Sequence, residues 1–132
     1  VIGVDTNVLV RYLTQDDSKH SPIAARFLER ELSRERPGYV TSVVLCETVW
    51  VLSRAYKLDR AVVVGILDRI LAVESLEFEH VGDVLLAVED FRASRLGFAD
   101  CVVFHVTRRV GCEALATFDR DLARRPGARL LA

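Results

Sequence analysis

Cysteine is scarce in this chain, with three residues, Cys46, Cys101 and Cys112, among 132. An odd number without paired spacing argues against a disulfide framework, and the lack of any C-x-x-C pair argues against a structural zinc site. The expectation is three small, partly buried hydrophobes in a reducing compartment. Long apolar runs are missing too. No segment approaches the roughly 18–20 residues that span a bilayer. The opening VIGV lacks the basic stretch and cleavage site of a signal peptide, so a cytoplasmic protein is expected. An excess of charge of one sign is also absent: 18 Lys and Arg against 19 Asp and Glu leave a net charge of −1. That argues against a strongly basic nucleic-acid binder. It leaves open a nuclease whose acids are gathered in a pocket with bases around its rim. Lysine occurs only at Lys19 and Lys57, so the basic residues are nearly all Arg. Arginine forks suit phosphate, although a GC-rich genome gives the same bias.

What is present reads as one globular domain: 132 residues, 51% hydrophobic and 28% charged, with no repeat, low-complexity tract or linker. Strand-like and helix-like segments alternate, which predicts an α/β fold with a central, mostly parallel sheet of about four to five short strands flanked by helices. Strands are expected at Val1–Val4, Tyr39–Thr41, Leu76–Glu79, Glu113–Thr117 and Ala128–Leu131. Helices are expected over Thr6–Leu13, Ser21–Ser33, Ser42–Tyr56, Asp59–Ala72, Asp83–Arg95 and Phe98–Val110, with a short one from Asp119 to Ala123. Asp5 or Thr6 is placed to cap the first helix, Pro22 to open the second, and Gly111 to stop the sixth. Helical spacing puts Val43, Cys46, Trp50 and Val51 on one inward stripe, and predicts core positions at Leu85 and at Val103 and Val110.

Four acids stand out by position. Ligands of parallel α/β sheets bind at the carboxyl ends of strands, and Asp5 and Asp119 follow predicted strands. Glu47 and Asp100 interrupt apolar helices, SVVLCETVWVL and GFADCVVFHV. A lone carboxylate buried there is costly unless paired or metal-bound. Each acid also has a plainer reading: a cap or turn residue for Asp5 and Asp119, a helix-dipole partner for Asp100, a buried ion pair for Glu47. Converging on one crevice, four carboxylates repel one another unless a cation is present. Mg²⁺ and Mn²⁺ prefer hard oxygen ligands of this kind and support phosphodiester hydrolysis.

Three quoted segments, taken in order, carry a resemblance. VIGVDTNVLVRYL resembles the opening strand and helix of PIN domains, with D-x-N after an apolar strand. VTSVVLCETVWVLSR resembles their second motif, an apolar helix carrying a glutamate. GFADCVVFHVTRRVGCEALATFDRDLAR resembles the closing pair of acids, and the pattern across nearly the whole chain resembles the VapC-type toxins of bacterial toxin–antitoxin pairs. The resemblance implies a cytoplasmic, Mg²⁺- or Mn²⁺-dependent endoribonuclease, an antitoxin that occludes the pocket, and a toxin homodimer. By position, Asp5, Glu47, Asp100 and Asp119 match the family's acidic quartet, with Asn7 and Thr117 as polar neighbours and Asp121 as a more variable acid. Many relatives carry a further aspartate where this chain has Gly97, which removes one carboxylate from the set and puts a tightly held second ion in doubt.

The expected roles are Asp5, Asp100 and Asp119 on the metal, directly or through water, and Glu47 through water or orienting the attacking water. Arg11, Arg54, Arg108, Arg109 and Arg120 are candidate phosphate contacts, each with solvated surface charge as its simpler reading. His20, His80 and His105 share no metal-ligand spacing, and Trp50 reads as core or interface. Two other functions compete. A phosphoaspartyl protein would use Asp5 as nucleophile, but those folds usually need a late lysine and none follows Lys57. A degenerate module would keep the fold and bind RNA or an antitoxin without cleaving.

Overall fold

The computed structural model describes residues 1–132. Its elements run β1 (Ile2–Gly3), α1 (Thr6–Thr14), α2 (His20–Arg26), a π-helical turn (Phe27–Glu31), β2 (Gly38–Val40), α3 (Ser42–Arg54), α4 (Arg60–Leu71), β3 (Leu76–Phe78), α5 (Val81–Ala93), α6 (Phe98–Val110), β4 (Leu115–Thr117), a 3-10 turn (Leu122–Arg124) and β5 (Ala128–Leu130). The α/β class and the parallel pairing agree with the sequence reading. The five strands form two ladders rather than a single run, β1-β2-β3 and β4-β5, and every ladder pairing is parallel. Two compact units result, Val1–Glu79 and His80–Ala132. None of the helices is long and apolar enough to cross a membrane.

In the first unit, β2 lies between β1 and β3, with Gly38 opposite both Ile2 and Leu76. Gly38 is required by closeness. A Cβ there would lie 2.7 Å from Leu32, 2.8 Å from Val4 and 3.0 Å from Leu76 side-chain carbons. Gly38→Ala is therefore expected to cost about 1–3 kcal/mol through overpacking, read as a lower thermal midpoint at unchanged secondary structure. Helix α1 starts at Asp5, whose Oδ1 accepts from the Thr6 amide at 2.8 Å, as its capping role predicts. Helix α2 starts earlier than Ser21-Pro22. The Asp17 carboxylate accepts from the amides of Lys19 (3.0 Å) and His20 (2.7 Å), and that local cap fixes the start. Thr41, not Ser42, caps α3 by accepting from the Val44 amide at 3.2 Å.

The face of α3 differs from the expectation. Leu45, Thr48, Val49 and Leu52 are buried, whereas Val43 is 67% and Trp50 62% exposed, and Cys46 is only half-buried. The segment VVLCETVWVL is apolar on nearly every side, so two stripes satisfy helical spacing. Thr48 disguised the buried one, yet its hydroxyl is satisfied by the Val44 carbonyl at 2.7 Å.

In the second unit, α5 and α6 pack together. Phe91 and Phe98 meet edge to face with centroids 5.7 Å apart. Asp90 pairs with His105 (2.5 Å) and Asp83 with Arg109 (2.6 Å), so the two helices run antiparallel. The buried faces are Val84, Ala87, Val88 and Phe91 on α5 and Phe98, Cys101, Val102 and Phe104 on α6. Leu85, Val103 and Val110 lie outward, against expectation, because small Ala87 and Cys101 occupy the closest-packed positions instead. Gly111 ends α6 in the left-handed conformation at φ 90°, as predicted.

Candidate active site

The first unit holds Asp5 and Glu47. Asp5 sits directly beyond β1 at its carboxyl end and is exposed. Its capping bond to α1 uses Oδ1, which leaves Oδ2 for another partner. Glu47 lies in the second turn of α3, and its Oε1 accepts from the Thr6 hydroxyl at 3.1 Å. One residue of α1 therefore ties the glutamate to the segment that carries Asp5. The sequence reading offered Thr6 as an alternative cap of the first helix and gave it no role toward Glu47. Its adjacency to Asp5 was the available signal, but a contact spanning 41 positions was not. Glu47 is exposed, which corrects the expectation of a buried lone carboxylate: the inward turn of Leu45 and Val49 rotates it outward. Asn7 is also exposed in the first turn of α1. Thr6→Val is expected to release the Glu47 carboxylate from α1 at unchanged fold, read as a shift of the Glu47 side-chain carboxyl resonance in NMR.

The second unit holds Asp100 and Asp119. Helix α6 begins after Gly97, which provides no side-chain cap. Buried Phe98 and Cys101 fix its rotation and leave Asp100 half-buried in the first turn. Burial, and then the charge of Asp119, push the Asp100 carboxyl above its usual range. The favourable helix dipole does not overcome these two effects. A Cβ at Gly97 would stand 3.3 Å from Asp100 Oδ2, so glycine keeps that oxygen uncovered.

Asp119 follows β4. Its Oδ1 accepts from the amides of Asp121 (2.8 Å) and Leu122 (2.9 Å), and its own amide donates to Thr117 Oγ1 at 2.9 Å. Thr117 thus holds the backbone that presents Asp119. Asp121 is exposed and pairs loosely with Arg124 at 3.8 Å.

The structure brings the four acids into two pairs, one in each unit. No group of three or more His, Cys, Asp or Glu side chains is placed to hold a metal ion. The donors are all carboxylates, and the like-charge burden on Asp100 is one that a divalent cation relieves, so the chemistry of the donor set fits Mg²⁺ or Mn²⁺.

The predicted arginines divide. Arg11 is occupied by Asp16 (3.4 Å), Tyr56 (3.4 Å) and Asp17 (3.8 Å), a structural network at the end of α1. Arg109 pairs with buried Asp83. His20 pairs with Asp17 at 3.5 Å and His105 with Asp90, so neither is free for a metal.

The PIN domain family model matches residues 2–128, and the chain belongs to the PIN-domain family. A VapC ribonuclease of Aquifex aeolicus (strain VF5) is 25% identical over 117 residues, covering 89% of this chain and 86% of that protein. The crystal structure of VapC20 of Mycobacterium tuberculosis, a sarcin–ricin loop cleaving toxin, is 23% identical with a TM-score of 0.45 over 94% of each chain.

Proposed function

We propose that this chain is a divalent-metal-dependent endoribonuclease acting as the toxin of a VapBC-type pair, with Asp5, Glu47, Asp100 and Asp119 as its acidic quartet. The observation that carries the reading is the pairing of carboxylates at both strand ends, above all the Asp100–Asp119 pair, whose charges oppose one another without a cation. Family membership across residues 2–128 supports treating both units as one nuclease domain. Likeness to a VapC ribonuclease supports RNA as the substrate.

When bound, Mg²⁺ or Mn²⁺ would lower the pKa of a water and offset charge building on the scissile phosphate. The remaining work falls to the protein. Asp5, Asp100 and Asp119 would supply the ligand oxygens, directly or through water. Asp5 and Asp119 each have one oxygen fixed by backbone amides, which sets the direction of the other. Glu47, steadied by Thr6, orients the attacking water and receives its proton. Thr117 and Asp121 shape the turn that presents Asp119, and Asn7 is an exposed polar neighbour for the phosphate.

The same reading includes a cytoplasmic setting, a VapB-like antitoxin and a homodimer. Exposed Ile23 on α2, and Val43 and Trp50 on α3, support a protein partner on the first unit, since apolar groups of this size gain from being covered. Purified protein should cleave single-stranded or loop RNA with Mg²⁺ or Mn²⁺ and stop when EDTA is added. Cleavage that continues in excess chelator, with contaminating nuclease excluded, contradicts the proposal.

A further inference from the structure

The second unit contains a groove of about 920 Å³ at the end of α6 remote from Asp100, a volume typical of ligand sites. Arg108, Arg109, Arg125, His80, Gly82 and Asp83 are among its lining residues. Three features equip it for an oxyanion. First, α5 opens here, with His80 in the left-handed conformation (φ 53°) and no side chain capping the helix. The first-turn amides of this 13-residue helix have no side-chain cap, and the one acid in that turn, Asp83, is paired with Arg109. A Cβ at Gly82 would meet nothing within 4 Å, so the backbone there is open to close approach.

Second, a guanidinium group forms part of the groove wall. Arg125 gives Nη2 to Asp90 at 2.8 Å and lies 4.9 Å from the Phe104 ring centroid, which fixes its positive charge beside the groove. Third, Arg108 is held without being neutralised. Its Nη1 donates to the Pro126 carbonyl at 3.0 Å, and its guanidinium carbon lies 5.7 Å from the Phe104 centroid, but no carboxylate pairs with it. Gly127, at φ 102°, makes room: a Cβ there would collide with the Arg108 guanidinium.

Charge favours an anion. Asp83 lines the groove but is answered by Arg109 at 2.6 Å, and Asp90 is answered by Arg125. Arg108 is left over, with no carboxylate partner.

We propose that this groove binds a phosphate of the RNA backbone, a second hold on the substrate away from the catalytic acids. The identity of the ligand rests on the ribonuclease reading. Arg108 follows Asp100 by eight residues on one continuous helix, or about 12 Å along its axis. That distance is about three to four stacked nucleotides at roughly 3.4 Å each, so one strand reaches both places.

The test uses the full chain with Arg108→Gln, which strands no acid. Inorganic phosphate is titrated while the Gly82 and Asp83 amides are followed by NMR. Both resonances should move saturably in the wild type, and several-fold more weakly in the variant. With RNA, R108Q should raise KM several-fold at unchanged kcat and reduce the slope of log K against log salt by about 0.7–0.9. Arg108→Lys should restore most of that slope. Resonances that ignore phosphate overturn the proposal. So does phosphate binding with KM and salt slope unchanged, which would assign the groove to an acidic peptide or a small phosphate compound. Should the wild type cleave no RNA, the ribonuclease reading fails, and the proposal that RNA occupies the groove fails with it. The phosphate titration would still report whether the groove binds oxyanions.

Discussion

Asp100→Asn should lower RNA cleavage by on the order of 10²–10³-fold, the usual loss when one charged element of a preorganised site is removed. The fold should not suffer. Asp100 carries its charge at a cost, because burial and Asp119 both raise its carboxyl above the usual range. For an acid whose folded pKa is raised, the ionised form weakens the fold at pH values above that pKa, and the penalty fades as pH falls through it. Removing the charge at neutral pH should leave the metal-free protein as stable as before or slightly more so. Activity that collapses while the thermal midpoint holds or rises is the signature of a ligand. A variant that loses both together would mark Asp100 as a structural helix acid, the plainer alternative raised by its position in the first turn of α6.

Asp5→Asn should have an effect of similar size on cleavage, again on the order of 10²–10³-fold, and here the control is sharper. Asp5 also caps α1 through Oδ1. Asparagine caps as well as aspartate, so Asp5→Asn should keep stability within a few tenths of a kcal/mol, whereas Asp5→Ala should lose about 1 kcal/mol more. Chemical denaturation with rate measurements on the same samples separates the two roles. Equal activity in wild type and Asp5→Asn would reduce Asp5 to a cap.

Much of this was legible in the chain because local physics sets it. The β-branched run before Asp5, the left-handed stop at Gly111 and the alternation of strand and helix each rest on neighbouring residues. The parallel α/β class follows from them. What failed was rotation and partnership. The α3 segment is apolar all round, so the choice between the Val43–Trp50 stripe and the Leu45–Leu52 stripe depends on what packs beneath. That choice decided whether Glu47 lay buried or exposed. Division of the strands into two ladders depends on which strands become neighbours, and strands of two or three residues carry too little pattern to say.

At the candidate site the acids were readable by residue type and position. The bonds that orient them were not. Thr6 to Glu47 spans 41 positions, and Asp119 accepting from Asp121 and Leu122 depends on the conformation of a turn. Of the groove arginines, Arg108 and Arg109 were visible among the five candidates and Arg125 was not, and only packing separates Arg108, free of any acid, from Arg11, which Asp16 and Asp17 occupy.

Calorimetric titration of Mn²⁺ into the wild type, Asp5→Asn and Asp100→Asn tests the central proposal most directly, that Asp5 and Asp100 are each required to hold a divalent ion. Saturable binding in the wild type, lost or greatly weakened in each variant, is the predicted result. Wild-type affinity in either variant would show that the substituted acid does not hold the ion.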